Sequence, residues 1–166
     1  MPFRAARYQV WQPPRGKLRL EAMTEAAAQP IADAMAEIDP WRTLGVGAET
    51  LAHGLMTRDD HLHRLAILHD DKLAGVVSVR NPWLFGPYLS LLAILPGHQQ
   101  SGIGAAMLQW LEHEAGKSAG NVWACVSQFN HRARRFYARH GFEEIGVLGG
   151  LVRPEHDEVL IRKRLT

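Results

Sequence analysis

The sequence has little cysteine, little charge imbalance and no long apolar run, and each shortage excludes a class of protein. The only cysteine among 166 residues is Cys125, so neither an internal disulfide nor a cysteine-rich zinc site can form. The formal net charge is only +2, which gives no indication of a nucleic-acid or anionic-membrane partner. A reducing, cytoplasmic setting is therefore expected, and the length fits one domain.

Charge is missing altogether from residues 81–111, which contain no Asp, Glu, Lys or Arg. A membrane-spanning helix needs about 20 mainly apolar residues. Pro82, Pro87 and Pro96 interrupt this segment, and the polar run 97–101 lies in its middle, so we exclude a membrane span. The missing charge instead predicts dense burial or a surface that receives a large ligand.

Hydrophobic periodicity predicts alternating strands and helices after an N-terminal arm over residues 1–16. A helix over 24–37 is expected to begin near Pro30, because proline is unfavourable inside a helix. Asp39, Pro40 and Trp41 end it, and a loop follows. Asn81 and Pro82 are predicted to begin another loop.

The other predicted elements follow from two-residue alternation for strands and from apolar stripes for helices. They are strands over 17–23, 64–69, 73–80, 88–95, 122–126, 142–148 and 159–164, and helices over 49–56, from 102 onward and over 131–140. This order predicts a single α/β (α+β) domain over 17–166, with a mixed, mostly antiparallel central sheet and helices on both faces.

The most informative segment is 96–105, between a predicted buried strand and a predicted amphipathic helix. The first turn of a helix leaves four N–H groups without intrahelical partners, and glycine lets a phosphate approach the backbone. The segment therefore predicts an anion site. Two common phosphate loops do not fit, because Met107 replaces the third glycine of the dinucleotide fingerprint and Ile103 replaces the lysine of the nucleoside-triphosphate loop.

The pattern that fits is Gln99-x-x-Gly102-x-Gly104, which resembles the Q/R-x-x-G-x-G/A signature of the GNAT superfamily of N-acetyltransferases. The preceding segment 92–96 (LAILP) resembles that family's fourth strand and its proline exit. Downstream, the pattern Asn130-x-x-Ala133-x-x-Phe136-Tyr137-x-x-x-Gly141-Phe142 resembles its second motif. The resemblance is specific between 88 and 142 and only topological before residue 60.

The resemblance implies a GNAT-like fold and acetyl-CoA as co-substrate. Backbone amides of residues 100–105 would hold the pyrophosphate, main-chain groups of residues 92–94 would pair with the pantetheine arm, and Asn130 would contact that arm. Tyr137 would protonate the departing thiolate. The implied binding residues are Leu92, Ala93, Ile94, Gln99, Gln100, Ser101, Gly102, Ile103, Gly104, Ala105 and Asn130.

The implied activity is transfer of an acetyl group to a primary amine of a small molecule or peptide, by direct attack in a ternary complex. A homodimer is also an expectation of the resemblance. No motif places a general base, and Glu21, His69 and Tyr88 are the candidates. No metal is expected, because the nine histidines show no spacing typical of metal ligands.

Two other functions stay open at this point. The first is a non-catalytic acyl-CoA-binding module on the same fold. The second is a nucleic-acid-binding protein that uses a basic helix face, which the absence of an accompanying aromatic stacking pattern disfavours. That face contains Arg132, Arg134, Arg135 and Arg139. If the protein binds acetyl-CoA, the same face would neutralise the cofactor's 3′-phosphate.

Several candidate residues also have a purely structural interpretation. Gly102 and Gly104 fit a tight turn, Asn130 fits a helix N-cap, and Tyr137 fits a core position. Cys125 is expected to be an inert buried residue. The segment 39–42 fits either a border of the acceptor site or a helix stop with a core tryptophan, and the segment 149–157 fits either the opposite wall of that site or an ordinary loop.

Overall fold

The computed structural model describes Phe3 and residues 16–166. The predicted arm over 1–16 therefore lies outside the described residues, apart from Phe3 and Gly16. The elements in chain order are β1 (Leu18–Ala22), α1 (Glu25–Ala36), α2 (Trp41–Leu44), α3 (Ala48–Met56), β2 (Leu62–His69), β3 (Lys72–Trp83), β4 (Gly86–Ile94), α4 (Ile103–Ala115), β5 (Asn121–Ser127), α5 (His131–Arg139), β6 (Glu143–Arg153) and β7 (His156–Arg164).

The strands form one sheet in the order β1-β2-β3-β4-β5-β7-β6. Every neighbouring pair is antiparallel except β4 and β5, which are parallel. This parallel pair is short, since only Tyr88 faces Trp123 and Leu89 faces Ala124. Beyond Leu89 the two strands separate, and the sheet opens between residues 90–94 and the end of β5.

Hydrophobic layers cover both faces of the sheet, because successive residues of a strand point to opposite sides. On β3, Val77 and Val79 contribute to the core that includes Trp110 of α4. Val76 points the other way, into the core that includes Ile31 and Met35 of α1. No helix of residues 16–166 is both long and apolar enough to cross a membrane.

Phe3 belongs to the core that includes Trp110. Phe3 is 2% exposed, and its ring meets that of Trp110 edge-on, with centroids 5.6 Å apart. Edge-to-face geometry is a favoured arrangement of aromatic pairs.

The predicted mixed, mostly antiparallel sheet with helices on both faces is confirmed, but the start of α1 was predicted wrongly. The helix begins at Glu25, where the Thr24 hydroxyl accepts a hydrogen bond from the Ala27 N–H at 3.3 Å. Pro30 lies inside the helix on its exposed side. Burial of the Ile31 and Met35 face therefore outweighs the one backbone hydrogen bond that proline removes.

Four other elements differ from the prediction. The short helix α2 occupies a region expected to be a helix stop and loop. Strand β3 continues to Trp83, although a loop was predicted to begin at Asn81. Strands β6 and β7 extend through the expected 149–157 loop and leave a tight hairpin between Arg153 and His156.

The close approach of β3 to β4 depends on Gly75. A Cβ atom at this position would lie 2.2 Å from the Ala93 carbonyl oxygen. We expect Gly75→Ala to lower the free energy of unfolding by about 1–3 kcal/mol, because the strands must move apart. Urea unfolding measures this change.

Gly54→Ala is the matched control, since nothing lies within 4 Å of a Cβ built there and Gly54 is inside helix α3. It should raise the free energy of unfolding by about 0.5–1 kcal/mol. Equal stability of Gly75→Ala and the wild type would contradict the proposed contact.

Candidate functional site

Two adjoining cavities lie where β4 and β5 separate. The first, the loop cavity, has a volume of about 400 Å³ and lies between the loop before α4 and helix α5. The second, the sheet cavity, has a volume of about 330 Å³ and lies against β4, β5 and β7. The residues that line both are Pro40, Trp41, Leu92, Asn130, Ala133 and Tyr137.

Unpaired backbone N–H groups dominate the loop cavity. Gly97, Gln100 and Gly102 have positive φ angles of 87°, 60° and 82°, which turn the chain sharply into α4. The Ala106 N–H donates to the Gly102 carbonyl at 3.0 Å. Within the described part of the chain, the N–H groups of residues 102–105, where α4 begins, have no acceptor. Such a run at a helix N-terminus is suited to bind phosphate.

The loop also has the space and the charge that a phosphate ligand needs. A Cβ on Gly104 would lie 3.2 Å from Phe136 Cζ, so glycine keeps a gap between the loop and α5. The first turn of α4 contains no acidic residue, and Arg132 and Arg139 line the cavity. These features fit the pyrophosphate and 3′-phosphate of a CoA molecule.

The structure brings ten of the eleven predicted cofactor residues to the loop cavity; Ser101 does not line it. The Ser101 hydroxyl instead donates a hydrogen bond to the His98 carbonyl. The Gln99 side-chain amide donates to the Ile94 carbonyl at 3.0 Å, which ties the loop to the end of β4. Gln99 therefore also stabilises the loop itself.

Asn130 has the structural role that its position before α5 indicated. Its side-chain oxygen accepts a hydrogen bond from the Ala133 N–H at 3.2 Å, so it caps the helix. It also lines both cavities. Capping and ligand contact are compatible at this position.

Tyr137 lies in the wall between the two cavities. It is 9% exposed, and its ring packs edge-on against Phe136 and Phe142 with centroids 5.3 Å away in each case. Burial raises the pKa of the Tyr137 phenol above its usual range, so the hydroxyl keeps its proton at neutral pH. Tyr137 is thus a core residue whose protonated phenol borders both cavities.

The basic face of α5 does not act as one patch. Arg134 forms a double hydrogen bond to Glu144, at 2.8 Å and 3.1 Å, and so belongs to the structure. Arg132 and Arg139 line the loop cavity, whereas Arg135 does not. The arginines available to a phosphate ligand are therefore Arg132 and Arg139.

The three candidate bases are not supported by their positions. Glu21 pairs with Arg19 at 3.0 Å, and His69 lies 3.7 Å from Asp70; neither lines the two cavities. Tyr88 lines the sheet cavity, but burial, followed by Cys125 and Glu158, raises the pKa of its phenol. A phenol that keeps its proton cannot accept another at neutral pH.

The sheet cavity contains a carboxylate that no sequence motif indicated. Glu158 is 5% exposed and faces Ser127 across the β5–β7 pair. The Ser127 hydroxyl donates to Glu158 Oε1 at 2.7 Å. Alternation along β7 fixes the side of the sheet on which Glu158 lies, but the cavity on that side depends on residues distant in sequence.

The far wall of the sheet cavity comes from β6. Leu151 and Val152 line it, as one of the two interpretations of segment 149–157 predicted, although they belong to a strand. The Arg153 guanidinium donates from Nε to the Leu44 carbonyl at 2.9 Å. This bond holds the hairpin to α2, where Trp41 forms the opposite wall.

The sheet thus splits between its two parallel strands, and a loop suited to bind an anion lies at the split. The family model described as Acetyltransferase (GNAT) family matches residues 23–142. The chain belongs to this family, and it is an acetyl-CoA-dependent acetyltransferase.

Relatives and solved structures agree with this assignment. The chain is 36% identical over 108 residues to uncharacterised N-acetyltransferases of Mycobacterium bovis and Mycobacterium tuberculosis, a match over 60% of this chain and 68% of theirs. An acetyltransferase from Thermus thermophilus shares the fold with a TM-score of 0.72 and 18% identity, over 93% of this chain and 100% of that one. A spermidine N-acetyltransferase from Vibrio cholerae, in complex with CoA and spermine, has a TM-score of 0.68 and 16% identity, over 89% and 95%.

Gly104→Trp tests the loop cavity as the acetyl-CoA site. The indole would fill the gap to Phe136, so we expect the dissociation constant for acetyl-CoA to rise at least about tenfold. Isothermal titration calorimetry measures it. Ala138→Trp, at an exposed position of α5 outside the cavity lining, should bind like the wild type; unchanged binding by Gly104→Trp would place the cofactor elsewhere.

Removing the two cavity arginines tests the 3′-phosphate contact. Arg132→Ala/Arg139→Ala should weaken CoA binding about two- to fivefold per arginine, since exposed ion pairs are modest. Dephospho-CoA should bind both proteins alike, because it lacks the 3′-phosphate. Arg135→Ala is the control for one lost charge, and a loss with that variant equal to the loss per cavity arginine would indicate only a general field effect.

Proposed function

We propose that this acetyltransferase transfers the acetyl group to a primary amine by direct attack within a ternary complex. The observation that carries the proposal is the position of Tyr137 and Leu92, which line both the loop cavity and the sheet cavity. A co-substrate in the first cavity and an acceptor in the second would meet at this shared wall. No covalent carrier is needed, and Cys125 is unsuited to that role because burial raises the pKa of its thiol.

The chain's own residues account for binding and orientation. The N–H groups of residues 100–105 would hold the pyrophosphate, with Arg132 and Arg139 at the 3′-phosphate. Main-chain groups of residues 92–94 would pair with the pantetheine arm. They lie along the edge of β4 from which β5 has separated. Acetyl-CoA supplies an activated thioester carbonyl, and a fixed backbone N–H of β4 would stabilise negative charge on its oxygen.

We assign to Tyr137 the role of general acid, which donates a proton to the departing sulfur. Ordinary thiol and phenol pKa values of about 8.5 and 10 differ by roughly 1.5 units, or about 2 kcal/mol. Burial raises the pKa of Tyr137. In the free protein, proton transfer from Tyr137 to the thiolate therefore costs more than the difference between the ordinary pKa values. Positive charge that develops on the attacking nitrogen would offset part of it, because both charges lie in a poorly hydrated site.

The acceptor is an amine in this proposal, since the Vibrio cholerae neighbour acts on spermidine and the mycobacterial relatives are N-acetyltransferases. The second cavity also favours an enzyme over a non-catalytic acyl-CoA-binding module. Cofactor binding alone needs only the loop cavity.

Tyr137→Phe tests the proposed proton transfer. The variant keeps the ring and its packing, so acetyl-CoA affinity should be unchanged. Transfer to an amine should lose about 100-fold or more in kcat, as is typical when a general acid is removed. Thiol release followed with a chromogenic disulfide measures the rate.

Phe136→Tyr is a useful control, because it adds a hydroxyl to the neighbouring ring without replacing Tyr137. It should not restore transfer when combined with Tyr137→Phe. Undiminished kcat in Tyr137→Phe would reject Tyr137 as the acid, and thioester binding without any amine transfer by the wild type would favour the binding module.

A further inference from the structure

Two carboxylates are buried in the described part of the chain, and their surroundings differ. Glu114 is 6% exposed and pairs with Lys117 at 2.6 Å. Glu158 is 5% exposed, and no Lys, Arg or His of residues 16–166 forms an ion pair with it. Its partner is the neutral Ser127 hydroxyl. A buried carboxylate without a cation is costly, which suggests that a ligand supplies the missing charge.

Glu158 is also the only charged side chain among the described residues that line the sheet cavity. The other ionisable or hydroxyl groups that line the cavity near it are the Tyr88 phenol of β4 and the Cys125 thiol and Ser127 hydroxyl of β5, and the Tyr137 phenol of α5 lines the same cavity. None of these carries positive charge. The rest of the wall is mainly apolar and includes Trp41, Leu44, Leu51, Leu91, Leu151 and Val152.

We infer that Glu158 binds the ammonium group of the acceptor and takes its proton, and that the acceptor is a compact primary monoamine with an apolar body. This inference rests on the proposed function and names its substrate class. One carboxylate matches one ammonium group, and the apolar wall suits a hydrocarbon or aromatic body. A polyamine or an amino sugar would leave further polar groups without partners in this cavity.

The proton and bond changes balance with the residues present. A proton passes from the ammonium nitrogen to a Glu158 oxygen and leaves a neutral amine. The nitrogen lone pair forms the C–N bond as the C–S bond breaks, and the sulfur takes the Tyr137 proton. The surplus proton on nitrogen passes to the Tyr137 phenolate, and Glu158 releases its own proton to solvent. The net change is ammonium and thioester to amide, thiol and one proton.

Two amines of similar shape separate this role from a structural one. Phenethylamine is a cation at pH 7, whereas O-benzylhydroxylamine is neutral and needs no deprotonation. Glu158→Gln keeps the shape and the acceptor for Ser127. We expect it to lower kcat/KM for phenethylamine roughly 30-fold or more, with a much smaller loss for O-benzylhydroxylamine and unchanged acetyl-CoA affinity.

A second variant tests the inference at an exposed residue and leaves the buried Glu158 unchanged. Leu151 is 58% exposed at the cavity rim, and Leu151→Lys should repel the ammonium group and raise KM for phenethylamine. Val147→Lys is its control, since Val147 lies on the same strand, is 57% exposed and lines neither cavity. The control should match the wild type.

The outcomes separate failure of the inference about Glu158 from failure of the proposed function. Equal losses of Glu158→Gln with both amines, or a higher kcat/KM for spermidine or a short peptide than for phenethylamine, would overturn the inference and leave amine transfer intact. Acetyl-CoA binding by the wild type with no transfer to any of these amines would reject the proposed function, and the inference with it.

Discussion

The early separation of β4 from β5 is the constraint on which the rest of the site depends. Two residue pairs hold these strands together, and beyond them the hydrogen-bonding groups of β4 face an opening. Unpaired backbone groups inside a protein are unfavourable unless a ligand or water satisfies them. The split therefore creates the space for two ligands and also offers main-chain groups to bind one of them.

The elements around the split supply complementary chemistry. The loop before α4 offers backbone N–H groups and little charge, which suits a flexible phosphate ligand. Helix α5 provides Tyr137 at the junction of the cavities and has its own start fixed by Asn130. Strands β5 and β7 place a carboxylate in the sheet cavity. The N–H groups, the phenol and the carboxylate thus come from separate elements around one opening.

The sequence brings most residues of the loop cavity together in one segment, which is why a pattern can indicate them. The segment 96–105 combines a buried strand, glycines and a helix start, and local physics assigns such a segment to an anion. The Asn130–Phe142 pattern likewise lies on one helix and its cap. Most of the strands follow from two-residue alternation, and their errors are mainly at the ends.

The acceptor side could not be predicted in the same way. Glu158 joins Ser127, Tyr88 and Tyr137 only through sheet pairing and the packing of α5, so no spacing in the sequence reports it. Helix α2 is too short to give a periodic signal. Pro30 misled the prediction of α1, because burial of the opposite helix face compensates for the lost hydrogen bond.

Trp41 lines both cavities, and the Arg153–Leu44 bond connects its helix to the hairpin on the far side of the acceptor space. A ligand in either cavity therefore contacts a wall that the other ligand also uses. If bound co-substrate changes the affinity for the acceptor by some factor, thermodynamic linkage requires that bound acceptor changes the affinity for the co-substrate by the same factor. The shared wall, with its indole ring, thus offers a route by which the two substrates could affect each other's affinity.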